Sequence, residues 1–585
     1  MTRTKALVLV LVVVGLSVFA ALALMFFMAV GSLAAGAPPT AVADGSVLVV
    51  DFSRPLGEAG RREPGMALFA DLAHPLAAHE AARVVREAGE DERIAAIVVR
   101  GGFDGSLSSL DMVRDALADA REAGTPVYAQ LGSANERMLW LGSVADELWL
   151  EPLGFVELDG WFADVLYFGD ALKELGAEVQ VTRVGKYKSA VEPYMLGQMS
   201  PENREQLTEM LSAIETKVFG DIASARGADL ERLRQLSRET GWLTAQRALE
   251  EKLVTHVGPY AELLAKLRED SGLDKGDELD EISLAKYARS VRRGPKSGAG
   301  VQVVIADGEI VDGSNPAAIG GDDLAQELRD AREDEDVRAV VLRVDSPGGS
   351  ATASDVIRAE VLALKAAGKP VIVSMGSLAA SGGYWISADA DAIVAQPHTL
   401  TGSIGVFGML PNVEALAERY GLRAERVATS PLAGVGSMWK RLDEPQLALV
   451  QGFVDEIYER FLDLVAAGRK LDRERVAEIA QGRVWTGARA KELGLVDELG
   501  GLERAIELAR ERAGLSDKAP VRYPQRQLEW FEELLEEILE QEGLAAAQGA
   551  QLKSLQRLSR FAQVLEHVDG APRVLARLPF DVSAR

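Results

Sequence analysis

The 585-residue chain has no cysteine and only 5 histidines. The first absence excludes thiol nucleophiles, disulfides, cysteine-ligated zinc, iron–sulfur clusters and a lipidated cysteine. The second leaves little for metal chemistry: His74, His79, His256, His398 and His567 form no HExxH or HxH pair that one helical face could present to an ion. A Ser-His-Asp triad needs a single histidine, so His398, in a Gln-Pro-His-Thr loop, keeps that option open. Positive charge is scarce too. With 64 Lys and Arg against 89 Asp and Glu the formal charge is −25, which repels phosphate backbones and argues against nucleic acid as the main ligand. Any nucleophile is therefore an oxygen or an amine, and no cofactor is implied.

The length exceeds what one hydrophobic core supports and implies two to four domains. At 48% hydrophobic and 26% charged residues, most of the chain folds in water. One stretch departs from this. Ala6–Val30 carries no charge and as a helix spans roughly 37 Å, enough to cross a bilayer once. Arg3 and Lys5 precede it and the first charges after it are Asp44 and Asp51, so residues 1–5 are expected in the cytoplasm, 6–30 in the membrane and the bulk outside. A signal peptide cleaved near Ser32-Leu33-Ala34 is the alternative, but the apolar run is longer than the usual core of about 7–15 residues. Gly36–Gly45, with Pro38-Pro39, reads as a juxtamembrane linker.

The remainder repeats itself. Ile94–Arg100 matches Val337–Arg343, Ala123–Val127 matches Ala367–Val371, Trp140, Asp146 and Pro152 match Trp385, Asp391 and Pro397, and Thr244 with Arg247-Ala248 matches Thr486 with Arg489-Ala490. A spacing this steady implies two related domains, over about 45–280 and 300–515. Short β-branched runs (Val47–Val50, Ala96–Arg100, Val127–Gln130; Val301–Ile305, Ala339–Val344, Val371–Ser374) alternate with helical stretches such as Asp322–Arg332 and Ala353–Ala366. That alternation predicts an α/β fold with a largely parallel sheet in each copy. Residues 525–585 leave the repeat, and Leu528, Phe531, Leu534, Leu535 and Ile538 at helical spacing predict a helical extension.

The copies differ where chemistry would sit. After its second strand the second copy has Asp345-Ser346-Pro347-Gly348-Gly349-Ser350, a turn whose backbone N–H groups can approach an anion, where the first has Gly101-Gly102-Phe103-Asp104-Gly105. Further on, the second copy has Ala379-Ala380-Ser381-Gly382-Gly383-Tyr384-Trp385, and the first has no serine before its Trp140. Ser381 is either a helix cap or a nucleophile whose small neighbours leave room for a carbonyl and whose surrounding N–H groups form an oxyanion hole. A nucleophile needs a base, and the shortage of histidine points to lysine. The first copy offers Lys186 and Lys188 in Gly185-Lys186-Tyr187-Lys188-Ser189; the aligned stretch Arg426–Ala433 has none. Either lysine must be desolvated to act near neutrality, since its ordinary pKa is about 10.4.

Gly-Lys-Tyr-Lys-Ser-Ala-Val-Glu-Pro-Tyr (185–194), Asp-Ser-Pro-Gly-Gly (345–349), Ala-Ala-Ser-Gly-Gly-Tyr-Trp-Ile-Ser (379–387) and Leu-Thr-Gly-Ser-Ile-Gly-Val-Phe-Gly (400–408) together resemble the signal peptide peptidase A family in its long, duplicated, membrane-anchored form. The resemblance covers about residues 5–520. It implies two tandem ClpP/crotonase-like domains and a Ser/Lys-dyad serine protease that degrades released signal peptides and other apolar peptides. It also implies a single-pass protein of the bacterial inner membrane, with its catalytic bulk on the periplasmic side, assembled as a homotetramer. Carried over, Ser381 is the nucleophile, Lys188 the general base, Ser403 the serine that orients the lysine, and Gly348, Gly349 and Gly382 the oxyanion donors. Two rivals remain: a crotonase-like acyl-CoA hydrolase or isomerase, which works with carboxylates, and an inactive membrane scaffold.

Overall fold

The computed structural model describes residues 42–52, 56–58, 77–102, 105–271, 279–291, 298–315 and 317–523, and the backbone of 573–577. The expected anchor at 6–30 lies outside them; among the described residues no helix is long and apolar enough to cross a membrane.

The repeat in the sequence is a repeat in topology. Strands β1 (Ser46–Asp51), β2 (Ile94–Arg100), β3 (Val127–Leu131), β4 (Glu147–Leu150), β5 (His256–Val257) and β6 (Glu281–Ser283) form a sheet in the order β5-β4-β3-β2-β1-β6, each neighbouring pair parallel. Strands β7 (Gly300–Asp307), β8 (Val337–Ser346), β9 (Val371–Ala380), β10 (Ala392–Ala395), β11 (Glu498–Leu499) and β12 (Val521–Arg522) run in the corresponding order β11-β10-β9-β8-β7-β12, again parallel. Parallel neighbours need crossovers. Helices Ala78–Gly89 and Leu107–Glu122 supply them in the first copy, and Gly321–Glu333 and Ala351–Ala366 in the second.

Alternation along β7 sends Val301, Val303 and Ile305 to one face and Val304 and Ala306 to the other. The first face joins Leu48, Val50, Val85 and Leu110 of the first copy in a single apolar cluster. At about 1.5–3 kcal/mol for each fully buried Val, Leu or Ile, this shared layer holds the copies against each other.

A third sheet joins them by hydrogen bonds. The strand Glu178–Val184 of the first copy pairs antiparallel with Val406–Asn412 of the second, in register from Val184 opposite Val406 to Glu178 opposite Asn412. On the other side of Val406–Asn412 lies Arg573–Arg577, followed by Gly348–Ser350. The helical expectation for 525–585 fails over these five residues, which form a strand because two strand edges are there to pair with them. The rest of that extension lies outside the described residues.

Candidate active site

Ser381 ends β9. Its backbone turns sharply, φ 58° and ψ −113°, before the helix Gly382–Ser387 begins. A non-glycine residue with positive φ stores about 1–3 kcal/mol of strain, which the surroundings must hold in place. They do so by donating the Ser381 N–H to the Gly402 carbonyl at 2.8 Å and the Trp385 N–H to the Ser381 carbonyl at 2.8 Å. The run of small residues follows from crowding. A Cβ on Gly382 would meet Ser354 Oγ at 2.7 Å and Gly348 Cα at 3.1 Å, and one on Gly383 would meet the Ser346 carbonyl oxygen at 2.9 Å. The Ser381 side chain makes no cap hydrogen bond to the helix, so the capping alternative falls away.

Its hydroxyl faces Lys188 instead. Lys188 Nζ lies 2.7 Å from Ser381 Oγ, 3.0 Å from Ser403 Oγ and 3.0 Å from the Ser403 carbonyl oxygen, all within one chain. Both residues are buried, Ser381 at 0% and Lys188 at 1% exposure. Burial alone pushes the Lys188 amine well below the ordinary lysine value, with no carboxylate offsetting it. A neutral amine has two N–H groups and one lone pair. The two Ser403 oxygens can accept both N–H groups, which leaves the lone pair for the Ser381 O–H.

The lysine reaches this position because the Glu178–Val184 strand delivers its loop into the second copy. There the turn Gln481-Gly482-Arg483 grips the backbone: the Tyr187 N–H donates to the Gln481 carbonyl at 3.0 Å, and Arg483 Nη1 donates to Tyr187 Oη at 3.1 Å. Sequence reading missed this turn, whose only signal is a Gln-Gly pair of the kind that adopts positive φ (54° and 73°). A Cβ at Gly482 would lie 2.6 Å from Lys188 Cβ and 2.7 Å from Lys188 N. Gly482→Ala is therefore expected to shift Lys188 and lower turnover at least tenfold with the lysine still present; peptide-hydrolysis kinetics on a variant of preserved circular dichroism measure it.

The other candidates separate cleanly. Lys186 is exposed, its Nζ 5.1 Å over the Tyr187 ring. Ser403 itself has positive φ (50°) and donates its N–H to the Arg483 carbonyl at 2.8 Å. The Gly382 N–H opens a helix and so has no intrahelical partner. Gly349 is packed so closely that a Cβ would sit 1.9 Å from the Ile310 carbonyl oxygen, and the Gly348 N–H already donates to Ser346 Oγ at 3.1 Å. His398 is buried, both ring nitrogens lack partners, and burial lowers its pKa to about 3, so it serves no triad. Among the described residues no cluster of acids and histidines could hold a metal.

In the first copy the Trp140/Trp385 register puts Glu136 where Ser381 stands. Its carboxylate accepts the Gly160 N–H at 2.8 Å, and burial raises its pKa to about 7. The first copy thus keeps the architecture of this corner without a nucleophile.

The profile of Peptidase family S49 matches the chain at residues 119–274 and again at 363–516, one match in each copy and at the spacing of the repeat. Protease 4 of Salmonella typhi is 40% identical over 441 residues, covering 74% of this chain and 71% of that protein. Serine protease SPPA, chloroplastic, of Arabidopsis thaliana is 30% identical over 440 residues, 73% of this chain and 64% of its own length. A shorter relative, named putative signal peptide peptidase SppA, of Enterococcus faecium is 36% identical over 197 residues, 34% of this chain and 57% of that one. Two profile matches in the frame of the duplication, with relatives that span most of the chain, establish that it belongs to peptidase family S49 and is a serine protease.

Proposed function

We propose that this protease is a membrane-tethered Ser/Lys-dyad endopeptidase that degrades released signal peptides and other apolar peptides. The observation that carries the reading is the buried contact between Lys188 and Ser381. Neutral Lys188 takes the Ser381 proton as Oγ attacks the peptide carbonyl carbon. The resulting oxyanion is met by the Gly382 N–H together with one from the Gly348-Gly349 turn. Protonated Lys188 then gives its proton to the departing amine, and a water activated by the same lysine hydrolyses the acyl-enzyme. Ser403 keeps the amine aimed throughout.

An apolar substrate fits the surroundings: Phe407, Ala190, Val191, Met195 and Met409 cluster beside the dyad, with the Phe407 ring 6.0 Å from Lys188 Nζ. The name of the Enterococcus faecium relative agrees with signal peptides as the class. In the proposed organisation, anchor 6–30 on a bacterial inner membrane tethers a lysine-bearing repeat (45–280) and a serine-bearing repeat (300–515), both ClpP/crotonase-like, on the periplasmic side. Assembly into a homotetramer is supported by the exposed apolar side chains Tyr420, Leu422, Val427 and Trp439 on one excursion of the second copy. A crotonase-like acyl-CoA enzyme would place carboxylates at this centre; among the described residues none hydrogen-bonds to Ser381 or Lys188.

A serine-directed covalent probe tests the reading. Peptide mapping is expected to find the adduct on Ser381 in the wild type, none in Ser381→Ala, and much slower labelling in Lys188→Ala. An unlabelled wild type, or a Ser381→Ala variant that still hydrolyses peptide, would sink the proposal.

A further inference from the structure

The helix Pro201–Arg226 belongs to the first copy but packs on the second. Its Leu207 and Met210 share an apolar cluster with Ala380, the residue before Ser381, and with Leu400 and Val484. On the same buried stripe sits an amide, Gln206, only 1% exposed. Its Nε2 donates to the Tyr187 carbonyl at 3.3 Å and to Ser189 Oγ at 2.8 Å, the residues on either side of Lys188, and lies 3.0 Å from Asn203 Oδ1. Its Oε1 accepts the Val484 N–H at 3.3 Å, a contact that only the oxygen end of the amide can make. Val484 lies opposite Gly402, whose carbonyl accepts the Ser381 N–H, and it follows Arg483, whose carbonyl accepts the Ser403 N–H. One side chain thus bonds both the loop that carries the lysine and the strand that holds the two serines. The same helix ties down Arg483 from outside, with Glu205 Oε1 and Glu209 Oε2 each 2.9 Å from its Nη2.

We propose that Gln206 is a positioning residue for the reaction, holding the Lys188 amine in register with Ser381 and Ser403 through the groups that flank the lysine. The inference rests on the proposed Ser/Lys dyad and adds a residue to it. The chemistry of the side chain suits the task. A base that must stay neutral is harmed by a carboxylate nearby, which favours its protonated form, whereas an amide supplies two donors and an acceptor without net charge. A buried amide also costs free energy unless its bonds are made, so it is specific about the geometry it accepts. The duplication points the same way. The helix caps Ser200 and Asp443 correspond at the spacing that relates Ile94 to Val337, which sets Leu449 of the second copy's helix Glu444–Arg469 opposite Gln206. Leu449 is 39% exposed. The buried amide belongs to the copy that carries the lysine, and the other copy has an exposed leucine in its place.

Gln206→Met keeps the length of the side chain and removes its hydrogen bonds. In the full-length enzyme it is expected to lower kcat on an apolar peptide about 30-fold with KM within about twofold, because the residue sets the aim of the base. It is also expected to move the acid limb of the kcat/KM profile to higher pH, since a loosened amine admits water and protonates more readily. Ser189→Ala, a smaller change that deletes one of the amide's partners, is expected to lower kcat about fivefold alone and to add nothing in the Gln206→Met background. Circular dichroism follows the folding of each variant, and if Gln206→Met does not fold, the acid limb of Ser189→Ala decides by moving or staying. A folded Gln206→Met enzyme with kcat within about twofold of the wild type, a reduced kcat with an unmoved acid limb, or effects of the two substitutions that multiply independently overturns the proposal. Lys188→Ala is the separate check on the dyad: activity kept in that variant counts against the dyad, whereas an unchanged Gln206→Met beside an inactive Lys188→Ala counts against Gln206 alone.

Discussion

Lys188→Ala is expected to lower kcat/KM on an apolar peptide by about 10³–10⁴-fold, while Lys186→Ala leaves it within about twofold. The contrast follows from position: one amine is buried 2.7 Å from the hydroxyl it must deprotonate, and the other is exposed over a tyrosine ring. Lys188→Arg should not rescue, because a guanidinium stays protonated and cannot act as a base. The pH profile has a fixed sign. The amine works only when neutral, so kcat/KM falls as pH drops through the depressed Lys188 value and is flat above it. Stability has the same sign for another reason. Between the depressed folded value and the ordinary unfolded one, the unfolded chain binds the extra proton, so the lysine's contribution to stability rises with pH and is unfavourable near neutrality. Lys188→Met, of similar bulk without the amine, is thus expected to be inactive yet to unfold at a higher temperature than the wild type at pH 7, an outcome thermal scans at several pH values can check.

Glu58→Ala is expected to cost about 3–5 kcal/mol of stability, read as a large fall in the thermal midpoint, and to reduce activity as well. Glu58 and Arg343 are both buried and pair across the copies: Arg343 Nε donates to Oε2 at 3.0 Å and Nη2 to Oε1 at 2.9 Å, with Ser108 Oγ donating to Oε1 at 2.7 Å. Arg343 spends its remaining donor group on Ser374 Oγ and the Met375 carbonyl. Removing the carboxylate strands a buried guanidinium. Asp345 lies in the same buried charge cluster: burial first, then repulsion from Glu58, raises its pKa well above the usual carboxylate range. Arg343 and Asp345 both sit on the strand Val337–Ser346 that leads into the Gly348-Gly349 turn, hence the loss of activity. Glu58→Leu combined with Arg343→Met should recover much of the stability, because an apolar pair of similar volume carries no desolvation cost.

The parallel sheets could be read from the sequence because β-branched runs recur at a steady spacing and alternate with amphipathic stretches. Strand ends were less legible. β9 continues from the expected Ser374 to Ala380 because Leu378–Ala380 gain a second partner in Leu400–Gly402, and no local pattern announces a partner. Ser381 and Lys188 stood out through what each copy lacks. Invisible was the turn at 481–483 that holds the lysine backbone, since the contact joins residues almost three hundred positions apart through main-chain atoms. The engagement of the Gly348 N–H by Ser346 depends on a side-chain rotamer, which spacing does not encode. The strand at 573–577 was hidden by its setting: five residues cannot outvote the helical spacing of Leu528–Ile538, and only an open slot elsewhere makes them extended.

The antiparallel pair between Glu178–Val184 and Val406–Asn412 also sets a clock on the nascent chain. The base is synthesised first, the nucleophile nearly two hundred residues later, and the turn that seats the lysine only after residue 480. At roughly 5–20 residues per second, about 15–60 s separate the emergence of Lys188 from that of Arg483. For the first part of that interval Ser381 does not yet exist, and for the rest the turn that seats the lysine is missing. A ribosome that stalls, or a transcript that ends early, releases an inert fragment, so the order of synthesis protects the cell from an unfinished protease without a dedicated inhibitor.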